Sequence, residues 1–142
     1  PEEFSVVGAL SAGCDRLGIL PEAVRAVPDI AALRANRAQF SPADYDRGMQ
    51  FFLNFGSPAE FEQNDADNLF RLAEKAKAGG AALPKLILRC GTEDTLALGP
   101  NRRFKAHLDA LGIACDYAEF PGTHSWAFWD EHIQYVLENL PV

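Results

Sequence analysis

Apolar residues gather into three short continuous runs, at residues 4–10, 85–90 and 114–120, and between them recur at helical spacing. Each run has the length of a strand. The second, Leu86-Ile87-Leu88-Arg89-Cys90 after Lys85, is nearly all apolar. That pattern suits a strand buried on both faces of a parallel sheet. Helix signals fill the gaps. Pro21 opens a short helical stretch through Val27, and residues 30–39 predict another. Ser41-Pro42-Ala43-Asp44 supplies an N-cap serine, a proline at the first helical position and an acid in the first turn. That helix should end near Phe55-Gly56. Ser57-Pro58-Ala59-Glu60 repeats the signal as a capping box. Leu69, Leu72, Ala73 and Ala76 mark one face of a helix over about residues 66–78, closed by Gly79-Gly80. A helix over residues 101–111 ends at Gly112, and a last one runs from Trp126 to Leu140 before Pro141.

From Pro84 onward the order is strand, helix, strand, helix, a βαβα unit with a right-handed crossover. The fold class is α/β, with about three mostly parallel strands flanked by helices. Residues 20–80, mostly helices and turns, form an insertion over the sheet rather than a domain of their own. The chain, 1–142, then reads as one portion of a single domain.

Charge narrows the function. With 13 basic and 20 acidic side chains the net charge is −7. A nucleic-acid binder needs a basic face, and anionic membrane repels this balance. No apolar run reaches the ~20 residues of a membrane span. Cys14, Cys90 and Cys115 show no metal or redox spacing and read as reduced core thiols, which fits a cytoplasmic protein. No pair of histidines or cysteines has zinc-ligand spacing, so no metal or other cofactor is expected.

The candidate chemistry lies where two strands end. Asp94 comes four residues after Cys90, and His124 four residues after Phe120. In open α/β sheets, functional residues collect beyond the carboxyl ends of strands. If the strands are neighbours, the carboxylate can hold one imidazole nitrogen and leave the other facing a hydroxyl. Acid before histidine is the second half of the Ser…Asp…His order of serine hydrolases on this architecture. Taken singly, Asp94 reads as an Asx-turn residue and His124 as a loop residue; the order and placement together favour a site.

Pro84-Lys85-Leu86-Ile87-Leu88-Arg89-Cys90-Gly91-Thr92-Glu93-Asp94 resembles the acid segment of the tributyrin esterase group, kin to S-formylglutathione hydrolase (esterase D) and the feruloyl esterases. Gly122-Thr123-His124-Ser125-Trp126-Ala127-Phe128-Trp129 is similar to that group's histidine segment. Asn101 and Phe104 fit the helix between them, and Pro1-Glu2-Glu3-Phe4 resembles the stretch after the nucleophile's helix. The resemblance implies the C-terminal part of an α/β-hydrolase and short-chain carboxylester hydrolysis. It makes Asp94 the triad acid and His124 the general base. Ser125 departs from the acid usual there. The nucleophile elbow and one oxyanion donor would lie upstream of Pro1. The implied partners are a small-molecule ester and the N-terminal half of the same protein, with self-association as another way to cover the sheet.

Ala9-Leu10-Ser11-Ala12-Gly13 is a near miss of the elbow. An elbow must lead straight into a helix, and Gly13, Gly18 and Pro21 oppose one, so Ser11 reads as a strand-end turn. Trp126, Phe128 and Trp129 could line an acyl pocket, but read better as core. Phe51, Phe52 and Phe55 could form a lid, but read better as docking their helix on the sheet. His107 and His132 read as solvated. A reading from another class is a non-catalytic α/β-hydrolase-like binding module, with Asp94 and His124 as turn residues.

Overall fold

The computed structural model describes residues 4–141. Pro1, Glu2 and Glu3, where the resemblance begins, lie outside them. Strands β1 (Val6–Leu10), β2 (Lys85–Gly91) and β3 (Asp116–Phe120) form one parallel sheet in the order β1-β2-β3. The register pairs Val6 with Lys85, Leu10 with Arg89 and Gly91 with Phe120. The carboxyl ends of all three strands therefore fall at one rim.

Residue alternation on β2 assigns the two faces. Leu86 and Leu88 pack with Phe104 and Leu108 of α7 (Leu98–Ala110). Arg89 turns to the other face, toward α8 (Trp126–Glu138), where its guanidinium lies 4.3 Å over the Tyr135 ring. Arg89 is a buried charge inside an apolar run, and it is fully matched. Its Nη2 donates to Asp116 Oδ1 at 2.9 Å and its Nη1 to the Asp116 carbonyl at 2.8 Å. The Tyr135 hydroxyl closes the cluster on Asp116 Oδ2 at 2.8 Å. Such a cluster fixes α8 on the sheet, because an unmatched buried charge is strongly unfavourable. Gly8 permits the other contact of α8. A Cβ there would meet Val136 Cγ1 at 2.4 Å.

β1 is shorter and more exposed than the run at residues 4–10 suggests. Val7 is 42% and Phe4 66% exposed. The reason is position. β1 pairs only with β2, and its other edge is open among the described residues.

Between β1 and β2 lie six helices: α1 (Arg16–Ile19), α2 (Glu22–Arg25), α3 (Ile30–Ala35), α4 (Pro42–Phe55), α5 (Pro58–Glu62) and α6 (Leu69–Ala78), with a 3-10 turn at Arg37–Gln39. Ser41 caps α4, and Ser57 with Glu60 forms the expected capping box on α5. α6 starts later than expected. Asn64 Oδ1 captures the N–H groups of Ala66 and Asp67 at 2.7 and 2.9 Å, and Asn68 then caps the helix. α7 starts earlier than expected, with Pro100 in its first turn, where a missing N–H costs nothing. α1 is an extra short helix, capped by Asp15.

These helices carry a core separate from the sheet's. Leu20, Val24, Val27, Leu33, Phe51, Phe52 and Phe61 pack together. Phe51 sits 5.3 Å from both Phe55 and Phe61, ring centre to ring centre. The expectation that Phe51, Phe52 and Phe55 dock α4 on the sheet is thus corrected. They bury against the neighbouring helices, which offer a nearer apolar surface. An ion pair from Arg103 of α7 to Asp15, at 2.6 Å, ties the cap of α1 to the sheet layer.

Candidate active site

The loops that leave β2 and β3 run side by side. Thr92 N–H donates to the Phe120 carbonyl at 2.8 Å, and Glu93 N–H to the Gly122 carbonyl at 2.9 Å. This zipper continues the β2–β3 ladder beyond the last paired residues. It demands two glycines. A Cβ on Gly91 would meet the Gly122 carbonyl oxygen at 2.2 Å and its carbon at 2.7 Å. Gly122 has φ 145°, and a Cβ on it would strike the Phe128 ring at 2.6 Å.

The zipper delivers Asp94 and His124 to each other. His124 Nδ1 lies 2.8 Å from Asp94 Oδ2, so in the tautomer that protonates Nδ1 the imidazole donates to the carboxylate. Asp94 Oδ1 accepts from the N–H groups of Leu96 and Ala97 at 3.1 and 2.9 Å, in the turn that leads into α7. The Asp94 side chain is fully buried, and that of His124 is 40% exposed. Among the described residues no group hydrogen-bonds Nε2. Burial pushes the Asp94 carboxyl up. Hydrogen bonds from the Ala97 N–H and from His124, with a further lowering by the nearby Ser11 hydroxyl, more than offset it, so its pKa falls below the ordinary 3.8. The acid is therefore ionised at neutral pH and held by donors from two loops. This arrangement can orient a neutral imidazole and stabilise its protonated form.

Asn101 is a contributor that motif reading misses. It is 1% exposed. Its Nδ2 donates to the carbonyls of Ala12 and Ala97 at 2.8 Å each, and its Oδ1 accepts from Cys14 Sγ at 3.2 Å. It ties the loop after β1 to the first turn of α7, which holds Asp94. The available signal is a polar residue on the helix face shared by Ala97 and Phe104, where an apolar one belongs.

The aromatic expectations divide. Phe128 is core, at 4% exposure, but Trp126 is 82% exposed, which corrects the core reading for that residue. Trp126 lies one residue after the Ser125 cap and projects from the helix start, stacking only its edge on Trp129. The Trp129 ring stands at 90° to the His124 imidazole, 5.0 Å between centres. His107 and His132 are half-buried rather than solvated, because each finds an aromatic neighbour. His107 packs on Phe70 and reaches its carbonyl at 3.2 Å, and His132 stacks on Phe120 at 4.4 Å. Cys14 and Cys90 are buried free thiols, pushed up to about 11 chiefly by burial, and Cys115 is half-buried.

Ser11 is not an ordinary turn residue. Its φ is 49° and it is 4% exposed, so its hydroxyl is closed to a substrate. Four residues separate it from α1, where an elbow would enter its helix at once.

A parallel sheet with α7 on one face and α8 on the other is an α/β arrangement, and the whole matches part of an α/β-hydrolase fold. Among solved structures, the chain is similar to the S-formylglutathione hydrolase FrmB of Staphylococcus aureus, an apoenzyme. The TM-score is 0.60 and the identity 19%, over 95% of this chain and 44% of that one. The fluorophosphonate-binding serine hydrolase FphF of the same species, with substrate bound, matches with a TM-score of 0.49 and 24% identity. That match covers 63% of this chain and 38% of the other. The chain spans less than half the length of either structure. No protein-family model and no curated protein matches it. Among the described residues, no helix is long and apolar enough to cross a membrane.

Proposed function

We propose that this chain is the acid-and-histidine portion of a serine carboxylester hydrolase acting on short acyl esters or thioesters. The observation that carries the reading is the Asp94–His124 hydrogen bond, 2.8 Å, with the acid buried and the imidazole reaching solvent. A turn aspartate and a loop histidine of no consequence have no reason to meet across two strand tips with that difference in burial. The nucleophilic serine and the oxyanion donors belong to polypeptide outside residues 1–142.

In this reading the serine hydroxyl attacks the ester carbonyl while His124 Nε2 removes its proton. The tetrahedral oxyanion rests on backbone N–H groups. Collapse expels the alcohol or thiol, which takes the proton from Nε2, and leaves an acyl-serine. Water then attacks the acyl group by the same route and frees the acid. Asp94 holds Nδ1–H throughout and stabilises the imidazolium without becoming protonated. The open edge of β1, with Val7 and Phe4 exposed beside it, supports a further strand from the same protein as its neighbour.

The test is a fluorophosphonate probe on the full-length protein, followed by mapping of the labelled residue. Labelling at a serine outside this chain, abolished by His124→Ala, is the expected result. No labelling, together with no turnover of p-nitrophenyl acetate, would favour a binding module instead.

A further inference from the structure

Ser11 combines three features that seldom coincide. Among the described residues it alone, other than glycines, has a positive φ, at 49°. It is 4% exposed, and its Oγ is closed off from solvent with no hydrogen bond of normal geometry. Its N–H donates to the Arg89 carbonyl at 2.8 Å, which extends the β1–β2 ladder and sets Ser11 level with Cys90.

A buried hydroxyl without an acceptor is unfavourable, and so is a left-handed backbone on a residue with a Cβ. Both are retained where surrounding groups over-determine them, as functional sites do. The ladder sets Ser11 beside Cys90 at the rim that carries Asp94, and the Ser11 hydroxyl lowers both the Cys90 thiol and the Asp94 carboxyl. The thiol is neutral at physiological pH and a weak acceptor. The carboxylate has capacity to spare. Oδ1 accepts from Leu96 and Ala97, while among the described residues Oδ2 accepts only from His124.

We propose that Ser11 is a positioning residue, whose left-handed backbone turns Oγ–H toward the free lone pair of the Asp94 carboxylate and so fixes the plane in which that carboxylate holds His124. Its catalytic consequence rests on the triad reading above; its effect on the carboxylate does not. The groups facing Asp94 are then Ser11 from the end of β1, Cys90 from β2, the Leu96 and Ala97 N–H groups from the turn into α7, and His124 from the loop after β3. A glycine at position 11 would relax the backbone but supply no donor, and an alanine would keep the strain without the donor.

That difference makes the test. The Asp94 carboxyl is titrated by carbon-13 NMR in the full-length protein and in Ser11→Gly and Ser11→Ala, and thermal midpoints are measured alongside. In both variants the Asp94 pKa should rise by about one pH unit, the worth of one lost charge-assisted hydrogen bond. The midpoints should diverge, with Ser11→Gly above Ser11→Ala, because only glycine relieves the left-handed backbone. Midpoints that move while the Asp94 titration stays fixed would overturn the proposal and leave Ser11 a purely structural residue. A loss of turnover of about 10⁴-fold in Ser11→Ala would overturn it differently, by making Ser11 the nucleophile. Failure of the fluorophosphonate test would remove the triad reading and leave the Asp94 titration still to be read on its own.

Discussion

Gly91→Ala adds one methyl group to a buried backbone and should disable the site from a distance. The new Cβ would sit 2.2 Å from the Gly122 carbonyl oxygen and 3.3 Å from Thr123 N. Carbon and carbonyl oxygen tolerate no approach much closer than about 3.3 Å, so the loops must part by about 1 Å. Neither obstacle is a flexible side-chain tip; both belong to main chain held by the sheet. A 1 Å displacement would stretch the Thr92–Phe120 and Glu93–Gly122 bonds, now 2.8 and 2.9 Å, past useful length. His124 lies two residues beyond Gly122 and would move with it. Overpacking of this kind costs about 1–3 kcal/mol of stability. A misplacement of that size at a reacting group costs about 10²-fold in rate, or about 2.7 kcal/mol of barrier. The assay is p-nitrophenyl acetate turnover by the full-length protein, with thermal denaturation to separate misplacement from unfolding. Folded Gly91→Ala protein with kcat/KM within a few-fold of the parent would refute the argument that this close approach sets the Asp94–His124 distance.

Asp94→Asn should fold and yet lose about 10⁴-fold in kcat, because the amide favours the wrong imidazole tautomer; steady-state kinetics checks it. Leu33→Ala, in the core of the helices between β1 and β2, should cost about 2–5 kcal/mol. It should leave the His124 Nδ1–H proton resonance in place, because the sheet layer has a core of its own. Glu119 is drawn down to about 2, first by its hydrogen bond from Arg102 and then by that from Tyr117. Its contribution is therefore full above the ordinary 4.5 and fades as pH falls through about 2. Glu119→Gln should lower the thermal midpoint at pH 6, and the gap should close as the pH approaches 2 in a denaturation series.

What could be read from the sequence follows the range of each signal. The three strands and their parallel order came from apolar runs and turn residues, which are local. The caps at Ser41 and Ser57 were legible because each is built within four residues. Asp94 and His124 were legible because topology alone brings neighbouring strand tips together. The misses depend on three-dimensional neighbours. Nothing in the phenylalanines of α4 says whether the sheet or another helix covers them. Trp126 looks like core by composition and projects into solvent because of where the Ser125 cap starts α8. The burial of Ser11 and the bonds of Asn101 escape because both depend on β1, β2 and the loops that follow, far away in the chain.

The separate core of the helices between β1 and β2 also bears on how the chain reaches its final form. β2, α7, β3 and α8 are consecutive, so their contacts close over short stretches of chain. β1 must instead find β2 across residues 11–84. An unstructured tether of that length imposes a closure entropy that grows with the logarithm of its length. Helices α2 to α5, by packing on one another first, would shorten the effective tether before the strands pair. On this ordering β1 pairs last, and the slowest amide protection in refolding should fall on residues 6–10.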